Sequence, residues 1–157
     1  MAYQKLQANR ALAAIPSDTI NIPNPAATAA SGGTTATVAS KLTDGTATFL
    51  TDNIKVGDIV YDSTNSVVTT VTAVDSDTAL SVATGIPTLS EYVVYSQIDS
   101  PQNGCVLYVG GAGDLKVSTV GGDEVTFTGL VAGQFIPVNV LRVWATGTSA
   151  TFIIALW

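Results

Sequence analysis

Apolar positions in this chain recur mostly at every second residue, in short runs broken by turn residues, and hardly anywhere at helical spacing. Residues 67–74 alternate cleanly, with Val67, Thr69, Val71 and Ala73 on one side and Val68, Thr70, Thr72 and Val74 on the other. Residues 114–120 set Leu115, Val117 and Thr119 against Lys116 and Ser118. Glycines and Asp/Asn/Ser clusters divide these runs every eight to twelve residues or so, roughly the rhythm of an antiparallel sandwich or barrel. The pattern predicts an all-β chain: an extended N-terminal arm (1–33), a small barrel-like antiparallel module (34–98) and a sandwich-like module (104–157).

Within the first module, short strands are predicted at 37–39 and 46–50 around the Asp44-Gly45 turn. The next is predicted at 54–61, where the phase break at Gly57-Asp58 implies a bulge or tight bend. Strands at 67–74, 79–83 and 91–95 follow, with a polar turn at 75–78. Residues 96–103 read as the linker. Beyond it, 105–109 is a nearly continuous apolar run, predicted to be a strand buried on both faces. Gly110 to Gly113 and Gly121 to Glu124 are turns, and 125–128 returns as a strand. Residues 134–145 form the longest strand, with Phe135, Pro137, Asn139, Leu141 and Val143 opposite Ile136, Val138, Val140, Arg142 and Trp144; Pro137 marks an edge or bulge. Residues 151–157, ending Phe-Ile-Ile-Ala-Leu-Trp, make a last sheet strand in which Phe152 and Trp157 are candidate assembly contacts. Trp157 is expected to seal a core or a subunit seam.

The N-terminal third is more ambiguous. Residues 3–14 fit either a short helix, through Leu6, Arg10 and Ala13, or an extended arm. Pro16, Pro23 and Pro25 then restrict the chain to extended backbone. That segment reads as a tail or as an arm along a neighbouring subunit, anchored by Ile15, Ile20 and Ile22.

Composition reinforces the strand reading, with 22 threonines and 19 valines, β-branched residues that fit a pleated surface. It also narrows the function. At 157 residues the chain can bury a core without metals or disulfides. A net charge of −6 and a pI near 4.1 argue against a nucleic-acid partner. There is no histidine to act as a general base or metal ligand, and Cys105 stands alone, so no intrachain disulfide or zinc site forms. Only 11% of residues are charged, against about 25% in ordinary domains. Mean hydropathy is +0.39, yet no apolar window is long enough for a membrane-spanning helix and the start lacks a signal-peptide pattern. The expectation is a chain with no membrane partner that covers its surface by self-association.

Candidate chemistry is sparse. Gly110-Gly111-Ala112-Gly113-Asp114 lacks the Gly-Lys-Ser/Thr ending of a phosphate loop. Asp75-Ser76-Asp77 and Asp123-Glu124 are not set in a twelve-residue calcium loop and read as solvated turns. Cys105 has no base to activate it and reads as a core thiol. Tyr61, Tyr92, Tyr95 and Tyr108 sit in strand patterns where core packing is the default. No catalytic residue, cofactor or metal is expected.

Two stretches together resemble a known class. Residues 1–7 running on through Ile15-Pro16-Ser17-Asp18-Thr19-Ile20-Asn21-Ile22-Pro23 resemble small β-rich virion proteins of tailed phages, of the marine and cyanobacterial type. Gly104-Cys105-Val106-Leu107-Tyr108-Val109-Gly110, Asp114-Leu115-Lys116-Val117, Gly121-Gly122-Asp123 and the Ile153-Ile154-Ala155-Leu156-Trp157 ending resemble a compact module of phage spike-base and structural proteins. Between them, residues 56–61 and 71–75 look like a separate inserted β module. The resemblance implies a non-enzymatic virion component, foremost a homotrimeric capsid decoration (cement) protein on the capsid exterior. Its implied partners are copies of itself and the phage major capsid protein. A tail spike-base or fibre-base protein is the alternative, and a host-glycan-binding module a third.

Overall fold

The computed structural model describes residues 8–157. Across them the alternating Val/Thr pattern becomes twelve strands in two six-stranded antiparallel sheets, with no helix among the described residues. The first strands are β1 (Ala11–Ala13), β2 (Thr28–Gly33), β3 (Lys41–Thr43), β4 (Ile59–Asp62), β5 (Val67–Ser76), β6 (Ala79–Val82) and β7 (Glu91–Tyr95). The rest are β8 (Cys105–Gly111), β9 (Gly113–Thr119), β10 (Glu124–Leu130), β11 (Gln134–Val143) and β12 (Thr151–Leu156). The chain forms two compact units: residues up to 22 join 103–157, and 23–102 form the other.

This division splits the segment expected as an extended arm over 1–33 between the two units. Its first part belongs to the C-terminal unit, where β1 pairs with β12 through Ala11 and Leu156, Leu12 and Ala155, and Ala13 and Ile154. The helix alternative is therefore excluded for residues 8–14; the rest of that reading, residues 3–7, lies outside the described residues. Downstream, the extended backbone finds partners on β11. Ser17 N–H donates to the Val143 carbonyl and Ile22 N–H to that of Leu141, both at 2.9 Å. Arg142 clamps the same segment, donating to the Asp18 carbonyl and to Asn21 Oδ1, each at 3.0 Å. The Asp18 carboxylate accepts from the Thr146 N–H (2.8 Å) and hydroxyl (2.7 Å), and these bonds hold its pKa below the ordinary value. Ile22, expected to anchor on a neighbour, is 3% exposed in the core of its own unit. The second part of the expected arm, β2, pairs with β7.

In the 23–102 unit the strand order is β2-β7-β4-β5-β6-β3. Register shifts in β5 between Val71 and Ala73 and between Val74 and Ser76 bend it. The chain just after β2 returns to β3 through the Ala36–Thr43 bridge, so the sheet curls towards closure. The bend expected at Gly57-Asp58 is present, with Gly57 at φ 98°, and β4 begins only after it. Strands expected at 37–39 and 46–50 are loops instead. Tertiary contacts overrule local propensity there. Phe49 plugs the core completely buried, its ring centroid 6.1 Å from that of Tyr92. Beside it, buried Asp44 accepts from Thr46 N–H (2.9 Å), the Thr46 hydroxyl (2.8 Å) and the Tyr92 hydroxyl (2.8 Å). Burial opposes the Asp44 charge, but these donors outweigh it and hold the carboxyl below its ordinary value. Two further buried aspartates tie loops through hydrogen bonds. Asp58 accepts from the backbone N–H of Lys55 (2.8 Å) and Gln97 (2.9 Å), fixing the start of the linker. Asp62 accepts from Thr64 and Asn65.

The other unit, the antiparallel module expected to be sandwich-like, is one six-stranded sheet ordered β1-β12-β8-β11-β9-β10. One face encloses the core, where Leu107, Val109, Leu115, Val117 and Ala155 are fully buried. β9 keeps the expected alternation. β8 does not read as expected: Cys105, Leu107 and Val109 point inward, whereas Val106 and Tyr108 lie half-covered on the outer side. Cys105 is a core thiol, its pKa pushed up to about 12 by burial. In β11 the buried residues are Ile136, Val140 and Val143, because the register shifts after Ile136 and again after Val140. Pro137, which has no N–H to donate, falls in the first shift, as expected.

The entry and exit of the 23–102 unit are neighbours: Asn24 Nδ2 lies 3.3 Å from the Ser100 carbonyl, and Ser96 N–H donates to Ala27 at 2.8 Å. Expressed alone, residues 23–102 should therefore fold and melt cooperatively by circular dichroism. In the full chain, Ile22→Ala should cost the other unit about 2–5 kcal/mol by calorimetry and leave the 23–102 transition in place. Tyr92→Phe should destabilise the 23–102 unit by about 1–3 kcal/mol. The Asp44 contribution is complete above the ordinary carboxylate value of about 3.9 and is lost as pH falls through the lowered folded value. With one donor removed, acid unfolding of this unit should move to higher pH in a far-UV titration.

Candidate assembly face

Pairing registers define what the outer face of the single-sheet unit presents. One row crosses four strands: Ala13 lies opposite Ile154, Ile154 opposite Tyr108, and Tyr108 opposite Phe135. A second row runs from Ala11 through Leu156 to Val106. Phe152 falls opposite Gly110, and Val138 sits in the irregular stretch of β11. Tyr108 and Phe135 are in ring contact, with centroids 5.3 Å apart. Apart from the Tyr108 hydroxyl, none of these side chains is polar. Phe152 is 79% exposed, Phe135 55% and Val138 36%.

The other half of the same outer face is built differently. There β9, β10, the far end of β11 and the residue just after it present Lys116, Ser118, Glu124, Thr126, Arg142 and Trp144. Lys116 Nζ sits 4.0 Å from the Trp144 ring centroid and 3.4 Å from Glu124, and Trp144 Nε1 donates to Ser118 Oγ at 2.8 Å. This half is made to face water, its aromatic ring covered by cations and its indole N–H satisfied. Among the described residues, the β1-β12-β8-β11 half shows no such cation or hydrogen-bond cover.

Phe152 is held unusually. Its φ is 52°, the left-handed region, and among the described residues it is the one non-glycine inside a strand with positive φ. For an L-residue this conformation costs roughly 1–2 kcal/mol. Gly110 makes room for it: a Cβ there would stand 2.8 Å from Phe152 Cβ and 2.9 Å from its carbonyl oxygen.

The remaining candidates resolve as follows. Ile15 and Ile20 are half-buried along the strap on β11. Trp157 is half-buried against the core of its own unit, with Nε1 buried and lacking a hydrogen-bond partner. Tyr61, Tyr92 and Tyr95 are buried, whereas Tyr108, expected in the core, faces outward. Asp75 pairs with Lys41 at 2.8 Å and Asp77 accepts from Leu50 N–H, so these acids serve their own loops. Among the described residues no group of three or more His, Cys, Asp or Glu is placed to hold a metal ion, and no helix is long and apolar enough to cross a membrane. Gly110, Gly111 and Gly113 belong to strands rather than to a loop opening a helix. No protein-family model, curated protein or solved structure matches the chain.

Gly110→Ala should destabilise this unit by about 1–3 kcal/mol, since the added methyl meets the backbone as well as the side chain of Phe152. Thermal denaturation of the full chain reads this directly.

Proposed function

We propose that this chain is a non-enzymatic structural protein of a phage virion, a homotrimeric decoration protein that covers and stabilises the head shell. The observation that supports the reading best is the uncharged half-face of β1, β12, β8 and β11, with Phe152 and Phe135 standing in solvent. Apolar faces of this kind mark association surfaces. The resemblance of residues 1–23 and 104–157 to phage virion proteins gives the assembly its setting. In this reading the chain stabilises the shell by mass action, because it binds the assembled lattice and not its dissociated subunits. Residues 11–22 are paired within their own chain, so in this reading the shell contact falls on other parts of the surface.

The experiment is to locate the chain in purified particles by cryo-electron microscopy with quantitative mass spectrometry. The expected result is density over the head exterior at a copy number matching the capsomers. Absence from the particle, or density confined to the tail, would overturn the decoration reading.

A further inference from the structure

We infer that the uncharged face of β12, β8 and β11 is covered by a second copy of this chain, with Phe152 and Phe135 as the anchoring side chains. The inference rests on the proposal that the chain is a self-assembling structural protein, and it names the surface and the partner. An aromatic side chain removes about 150–250 Å² from water when fully buried. With Phe152 79% and Phe135 55% exposed, the two rings alone offer on the order of 250 Å². The half-covered Ile154, Leu156, Val106 and Tyr108, with Val138, bring the face to about 500 Å² per copy, or about 1,000 Å² for a pair. That reaches the lower bound for specific association.

Charge favours a copy over an unlike partner. Each chain carries a net charge of −6, so two copies repel unless they meet where no carboxylate is brought in. This half-face is such a place, because its rows contain only Ala, Val, Ile, Leu, Phe and Tyr. A cationic partner, which the net charge would otherwise attract, finds no counter-charge on it. Phe152 supplies a further reason. Its left-handed backbone is strained in the single chain and its ring is left in water, an arrangement that gains only when the ring is covered.

The test is sedimentation velocity on the full chain across micromolar to submillimolar concentrations, with three variants. Wild type should associate reversibly. Phe152→Asn combined with Phe135→Ser should weaken association by about a hundredfold or more, as loss of central anchors does. Leu89→Ser removes an even more exposed side chain (85%) that lies in the other unit, and it should associate like wild type. Phe152→Asn alone should match or exceed the wild-type melting temperature, because asparagine tolerates left-handed φ; reduced association in that variant then reflects lost contact rather than lost fold. Wild type remaining monomeric throughout, or the double variant associating undiminished, would overturn the interface. A chain that is monomeric in solution yet decorates particles would overturn it and leave the virion role standing. An assembly of two copies abolished by the double variant would keep the interface and remove the trimeric reading.

Discussion

A β-sheet gives its core one face, and the unit built from the two ends of this chain has a single sheet. Everything distinctive about the molecule follows from that constraint. The inner side chains of β8, β9, β11 and β12 are buried together, with Ala14, Ile22, Phe127, Leu130 and Trp157 packed against them. Among the described residues of this unit, no second sheet layer covers the outer side chains. On β9 and the far end of β11 they are the kind that water accepts, with Lys116 over Trp144 and Ser118 receiving the indole N–H. On β12, β8 and the near end of β11 they are the kind that water expels. One continuous surface thus carries two chemistries, and the boundary runs along β11, where two register shifts reset which residues point outward.

The 23–102 unit meets the same problem by curling nearly closed, so most of its apolar side chains share one interior. Its loops are then tied by aspartates rather than by regular pairing. Asp44, Asp58 and Asp62 are almost wholly buried, yet each accepts hydrogen bonds from backbone N–H groups, which is what makes burial of a carboxylate tolerable. Gly32 of β2 fits the same design: a side chain there would collide with the Asp44 carboxylate.

Much of the architecture was legible from alternation and turn residues. β5, β6, β7, β9 and β12 stand where period-two patterning puts them, and the breaks at Gly57 and Pro137 are where a missing side chain or a missing donor requires them. Three things were not legible, for different reasons. Residues 46–50 have strand propensity, but the Asp44–Tyr92 bond and the burial of Phe49 are long-range events that no local pattern encodes. Residues 15–22 look extended in sequence, and extended backbone pairs equally well with a neighbour or with its own chain; only the positions of Arg142 and Thr146 decide. Residues 105–109 form an apolar run, which cannot distinguish a strand buried on both faces from one with an unmatched apolar outer face. For the candidate face, Phe152 was recoverable from the apolar ending, whereas Tyr108 and Phe135 needed the register.

The pairing of β1 with β12 also sets an order of events during synthesis. β1 is near the beginning of the chain and its partner is the last strand, with the whole 23–102 unit between them. That intervening unit has all its partners within one contiguous stretch and can fold as it emerges. The earlier strand must then wait, its backbone donors and acceptors unmet, until β12 leaves the ribosome. Because the inserted unit has neighbouring ends, its folding draws residue 22 towards residue 103 and converts a long loop closure into a short one. The middle of the chain therefore acts as the guide that brings the two outer segments into register.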